Sequence, residues 1–265
     1  MNRALVAGIA TAFALAGIAG CAGPERDGAS TEPVELHIAA ASTLKRTVEE
    51  LIPEFETAHS GVKVVGNYAA SGVLQKQIEE GAPVDVFLSA SPAQVEALVE
   101  QGLISDDTSV TLCGNDVAII VPADNPTGIE GPEDLVNAER ISIGNPQTAP
   151  VGAKAKEWLV NKGMWDAVES RCVFGENAAQ ALDYIARGEV DAGLVFVSEA
   201  TDVSDVKVIH LVPASELTTP VRYVMAPVAS SGQRELARGF VEFMLEERAQ
   251  AALGRWGFRP LAEME

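Results

Sequence analysis

Apolar positions along the chain follow two alternating rhythms. Short runs rich in β-branched residues predict strands at Leu36 to Ala40, Val62 to Tyr68, Val84 to Leu88, Val117 to Val121, Ile141 to Ile143, Gly193 to Val197, Val206 to Leu211 and Tyr223 to Pro227. After the first run, Leu44, Val48, Leu51, Ile52 and Phe55 recur at helical spacing beneath a charged face, which predicts an amphipathic helix. The same periodicity predicts helices over 72–80, 92–101, 151–162, 178–187 and 233–253, the last with Leu236, Phe240, Phe243 and Met244 on one side. Strand and helix in alternation is the pattern of an α/β protein with mostly parallel sheets. Turn-rich stretches near 113–116 and 226–232 are candidate crossings between two lobes. They predict a discontinuous first lobe, 34–114 with 228–265, and a second lobe, 115–227.

The N-terminus breaks this rhythm. Arg3 is followed by the apolar stretch LVAGIATAFALAGIAG, without an acidic residue, which ends at Cys21. Residues 1–20 therefore read as a signal peptide, too short for a membrane span. Ile18-Ala19-Gly20-Cys21 resembles a lipobox, which makes Cys21 the expected lipidated N-terminus of an exported protein on the outer face of the cytoplasmic membrane or in the periplasm. Residues 21–33 are small, polar and rich in Pro and Gly, as a flexible leash requires.

Charge changes the picture by exclusion. The chain carries a formal charge of -19 and has no basic run, so phosphate neutralisation of a nucleic acid is ruled out as a principal role. With Cys21 assigned to lipid, Cys113 and Cys172 remain as a possible disulfide in an oxidising compartment, the alternative being two separate thiols.

The candidate chemistry lies at four helix starts. Ser42 and Ser71 each follow a strand and stand at expected N-cap positions. Pro150 opens the helix that begins with Val151, and Asn177 with Gln180 forms a capping-box variant before Ala178. A helix N-terminus offers free N–H groups and about half a positive charge, so it binds an anion without Lys or Arg. In α/β folds, loops at strand C-terminal ends face one crevice, where four such starts can converge.

The order of these segments resembles the periplasmic molybdate-binding proteins of ABC importers. The resemblance rests on AAASTL at 39–44, YAASGVLQKQIEEGAPVDVFLSA at 68–90, IGNPQTAPVGAKAKEWL at 143–159, ENAAQAL at 176–182 and RWGF at 255–258. It implies a two-lobed type II periplasmic-binding fold, each lobe a mostly parallel sheet flanked by helices, the lobes joined by two crossing strands. It further implies a monomer that captures molybdate or tungstate, uses no cofactor, and serves a permease and its ATPase. The family's serine ligands fall on Ser42 and Ser71 and its backbone donors on Val151 and Ala178. Its frequent tyrosine ligand falls on Phe196, which lacks the hydroxyl.

Other readings fit less well. The same fold for sulfate, phosphate or a small organic anion is the nearest alternative and stays open for sulfate; a buried Arg would mark an organic carboxylate and a buried carboxylate hydrogen phosphate, and no helix start carries either. For a secreted hydrolase, Ser71 lies outside G-x-S-x-G and His37, His59 and His210 lack partner motifs. Clustered ligands for a metal cation are not expected either.

Overall fold

A computed structural model describes residues 33–264, so the signal peptide, Cys21 and all of the leash but Pro33 lie outside the described residues. The strands are β1 (Val34–Ala41), β2 (Val62–Ala69), β3 (Val86–Ser89), β4 (Val110–Asn115), β5 (Val117–Pro122), β6 (Ile141–Gly144), β7 (Cys172–Gly175), β8 (Ala192–Phe196), β9 (Val206–Leu211) and β10 (Val221–Pro227). The α-helices are α1 (Lys45–Ala58), α2 (Ser71–Glu79), α3 (Pro92–Glu100), α4 (Pro150–Asn161), α5 (Trp165–Val168), α6 (Ala178–Ala186), α7 (Val197–Ala200), α8 (Arg234–Leu245) and α9 (Glu247–Arg255). No described helix is long and apolar enough to cross a membrane.

The strands form two sheets of matching design, in the orders β2-β1-β3-β10-β4 and β7-β6-β8-β5-β9. In each sheet the first three strands run parallel. The fourth, β10 or β5, is antiparallel to the third, and the fifth is antiparallel to the fourth. Four of the five strands in each sheet thus run the same way, as expected of a mostly parallel sheet, and the one reversed strand is the one that arrives from the other lobe.

One crossing is short, Asp116 between β4 and β5; the other is Val212–Pro220, between β9 and β10. β10, placed in the second lobe by its turn-rich flank, belongs to the first sheet, where its backbone pairs with both β3 and β4. The return crossing therefore precedes it. β4 and β7 answer to no predicted strand. β7 is a half-exposed sheet edge, and β4 leads into the turn-like Gly114-Asn115-Asp116, so neither carries a strong apolar run.

Helices pack against both sheets because their apolar faces match the sheet surfaces. Phe55 of α1 is fully buried, with ring centroids 5.2 Å from Phe240 and 5.4 Å from Phe243. The predicted helix over 233–253 is two helices, since Glu246 is extended (φ -63, ψ 151). Gln250 stabilises the break by donating its side-chain amide to the carbonyls of Met244 and Leu112.

The GAPVDVFLSA block is explained by Asp85. Its carboxylate is buried, accepts the backbone N–H of His37 at 2.7 Å and the hydroxyl of Ser231 at 2.6 Å, and so ties β1 to the segment after β10. Cys113 is buried in β4 of the first sheet, whereas Cys172 starts β7 in the second, and both thiols are free. The disulfide is thus not formed: the two cysteines belong to different sheets. Burial pushes the Cys113 thiol well above its usual range, and burial together with Glu169 pushes Cys172 up to about 11.

Candidate functional site

The carboxyl ends of β1, β2, β6, β7 and β8 point toward one crevice between the sheets, the place where open α/β sheets bind ligands. There the chain leaves β1 into a 3-10 turn at Ser42–Leu44, β2 into α2, β6 toward α4, β7 toward α6, and β8 into α7. A small pocket lies at the meeting point, enclosing about 210 Å3 of empty space, part of it open to solvent. All five residues singled out in the sequence, Ser42, Ser71, Val151, Ala178 and Phe196, line it. The rest of its wall is Ala, Thr43 and Pro150, without a charged side chain.

Each wall has a local cause. The N-caps before the two serines are Ala41 and Ala70, not the serines, which are the first residues inside their helical turns. Each strand runs one residue further than expected and the helical turn starts one residue earlier, so neither hydroxyl is spent on capping. Ser71 is fully buried, and its Oγ accepts the backbone N–H of Ala90 at 3.0 Å. A hydroxyl that already accepts keeps its own proton to donate.

At α4, Pro150 occupies the first turn, where a missing N–H costs nothing, and Val151 follows with a donor that has no partner within the helix. α4 reaches the pocket only because residue 152 is glycine: a Cβ there would stand 1.9 Å from the carbonyl oxygen of Gly144. At α6, Asn177 caps the turn by accepting the N–H of Gln180 at 3.0 Å. Gln180 reaches back to the N–H of Glu176 at 2.6 Å rather than to that of the cap itself. The first-turn N–H of Ala178 has no partner within the helix, and Ala178 itself lines the pocket.

Phe196 is fully buried, its ring 6.0 Å from that of Tyr223 on β10. The hydroxyl of Tyr223 donates to Thr43 Oγ1 at 2.9 Å and lies behind the pocket wall, so it does not stand in for the hydroxyl Phe196 lacks. Tyr223 is held neutral, its pKa well above the usual range because of burial.

Two contacts near the pocket join the lobes and carry no sequence motif. The N–H of Gly72 donates to the carbonyl of Thr148 at 2.9 Å, and a Cβ on residue 72 would stand 2.8 Å from that oxygen. Arg46 reaches from α1 to the carbonyls of α7. A signal for the first was available in the Gly after Ser71; the second had none, since Arg46 reads as part of a solvated helix face.

A wider groove of about 1140 Å3, open to solvent, adjoins the pocket at Ala90, Ala149 and Pro150 and includes Lys154, Arg222 and Glu96. Lys154 is already engaged by Glu157 and Thr219. The chemistry described above lies in the smaller pocket. None of His37, His59 and His210 lines it. Among the described residues, no group of three or more His, Cys, Asp or Glu is placed to hold a metal ion.

Residues 36–259 match the family model for bacterial extracellular solute-binding proteins. The chain is 32% identical to YvgL of Bacillus subtilis (strain 168), provisionally named an ABC transporter substrate-binding lipoprotein, over 94% of each chain. It is 29% identical to the molybdate-binding protein ModA of Escherichia coli (strain K12), over 96% of each. Its fold matches the periplasmic molybdate-binding protein of Azotobacter vinelandii with a TM-score of 0.74 at 25% identity, covering 84% of this chain and 98% of the other. Two mixed sheets facing one crevice, a pocket walled by helix starts, and a match over nearly the whole described chain place this protein in the bacterial extracellular solute-binding protein family.

Proposed function

We propose that the chain captures molybdate or tungstate between its lobes and delivers it to an ABC permease and its ATPase. The observation that carries this reading is the pocket itself: helix and turn starts converge on it with two serine hydroxyls, and no charged side chain lines it. A fully ionised tetrahedral oxyanion needs only donors, which such a wall supplies. Charge-assisted hydrogen bonds contribute roughly 1.5–3 kcal/mol each, so a handful suffices for micromolar binding, about -8 kcal/mol. The overall charge of -19 does not oppose this, because surface charge is screened beyond ~8 Å at physiological salt whereas these donors act at contact.

On this reading Ser42, Ser71, Val151 and Ala178 donate to the anion, and Phe196 closes the pocket without donating. The first lobe comprises β1 to β4 with β10 and the C-terminal helices, and the second comprises β5 to β9. The protein is a monomeric carrier that performs no chemistry on its ligand and needs no cofactor. Cys21 holds it to the outer face of the membrane, in keeping with the lipoprotein name of the Bacillus subtilis relative.

Thermal melting and calorimetry of the lipid-free protein against molybdate, tungstate, sulfate and phosphate test the reading. Ligand at about a hundred times Kd adds about 2.7 kcal/mol of stability, and molybdate and tungstate are expected to do so while sulfate and phosphate do little. Equal stabilisation by sulfate would remove the molybdate assignment, and a response only to organic anions would move the site toward the wider groove.

A further inference from the structure

Arg46 connects the two lobes without touching the pocket. It lies on α1, one helical turn after Ser42, and its guanidinium donates Nη1 to the carbonyl of Thr201 at 2.9 Å and Nη2 to those of Ser198 at 2.6 Å and Glu199 at 3.4 Å. These carbonyls lie at the C-terminal end of α7, where a helix leaves acceptors unpaired and favours a cation. α7 begins directly after Phe196, the pocket residue that ends β8.

The first lobe braces the guanidinium from behind. Arg46 stacks 4.6 Å from the ring centroid of Trp256, whose indole N–H donates to Glu50 Oε2 at 2.7 Å. Arg255 pairs with the same carboxylate. The next residue, Gly257, has φ +80, and a Cβ there would stand 2.2 Å from Thr201 Oγ1, so the C-terminal segment also presses on α7. A planar fork held on an aromatic face loses little freedom on binding, which suits it to grip several carbonyls at once.

We propose that Arg46 is a clasp that holds the closed arrangement of the lobes, so that release of the bound anion depends on a side chain that never meets it. The inference rests on the oxyanion-binding reading, and gives one positioning residue to it. Separation of the lobes breaks three charge-assisted bonds at the clasp together with the Gly72–Thr148 bond at the pocket. Ser42 and Phe196, each within one helical turn of a jaw of the clasp, couple the two events.

The test compares wild type with Arg46→Ala and Arg46→Lys, using sodium molybdate. Affinity is read by calorimetry, release by stopped-flow displacement, and ligand-free stability by melting. Arg46→Ala should release molybdate at least about tenfold faster and bind it correspondingly more weakly, with the order of molybdate over sulfate unchanged. Arg46→Lys, a cation without the fork, should fall between, and its folding keeps the comparison valid if the alanine variant does not fold. Unchanged release in Arg46→Ala, or in Arg46→Lys should the alanine variant not fold, with normal wild-type binding, overturns the clasp and leaves the oxyanion reading intact. So does a loss of ligand-free melting temperature large enough to account for the whole change. Failure of the wild type to bind any oxyanion instead overturns the reading on which the clasp rests.

Discussion

At the scale of single residues, the pocket is a set of donors without charges, and its side-chain members can be weighed one at a time. Ser42→Ala and Ser71→Ala each remove one hydroxyl and are expected to weaken molybdate binding by roughly 1.5–3 kcal/mol in calorimetry. Ser71→Ala also strands the N–H of Ala90, so it should lower the melting temperature as well. Phe196→Tyr runs the other way, tightening binding by up to about 1.5 kcal/mol if the new hydroxyl faces the anion. Unchanged affinity with reduced stability would mean that the ring serves only to pack against Tyr223. The four helix starts were legible because a start after a strand leaves a local signature of Ser, Pro, Gly and Asn, whereas Phe196 was placed by the family resemblance alone. The cap positions themselves were misplaced by one residue: strand ends are decided by sheet pairing, and β1 pairs with β2 as far as Ala41 and Ala69.

At the scale of elements, glycine sets how closely helices meet strand ends. A Cβ at residue 152 would overlap the Gly144 carbonyl, a backbone atom that cannot swing aside, so Gly152→Ala must lift the start of α4. This should cost about 1–3 kcal/mol of stability and weaken binding through the neighbouring Val151 donor. Gly232→Ala, where nothing lies within 4 Å of the added carbon, is the control and should change neither. Helices with strong apolar faces were legible within a residue or two. What escaped the sequence was pairing. β7 is a half-exposed edge whose apolar run, Cys172-Val173-Phe174, is short and follows a charged turn, and β10 reads equally well as a strand of either lobe until its partners are known. The break at Glu246 also escaped, since the apolar stripe continues across it and only Gln250, reaching Leu112 on β4, distinguishes two helices from one.

At the scale of the whole molecule, one buried acid leaves a mark on stability. Glu199, behind the pocket on α7, has its carboxyl pushed up to about 7 by burial, with Arg46 opposing and Asp183 reinforcing the shift. Such a group holds its proton more tightly folded than unfolded. It therefore favours the fold fully below the usual carboxylate pKa of about 4.3, and that advantage is lost as pH rises to about 7. Glu199→Gln keeps the neutral form at every pH. Relative to wild type it should gain up to about 3 kcal/mol between pH 4.5 and pH 7 and then level off, which denaturant melts at four pH values would show. A flat difference would mean that the carboxyl is solvated in solution.

The two crossings between the sheets are unequal, a single residue on one side and the Val212–Pro220 stretch on the other. A door hung on one single-residue pin and one longer strap, itself fastened to α4 through Glu216 and Thr218, does not slide or twist freely; it swings about the pin. Asp116 is that pin, locked by Arg259 at 2.9 Å and by the paired backbones of Gly114 and Arg259. The far rim of the crevice, where Gly72 meets Thr148, then travels through the widest arc, and the Arg46 clasp, whose α7 partner is bonded to Asp116 through the N–H of Val197, opens through a shorter one. An anion entering such a mouth meets the inner wall already in place and the outer wall last. Loading is thereby set by the sweep of one edge, whereas unloading also waits on the Arg46 clasp nearer the pin.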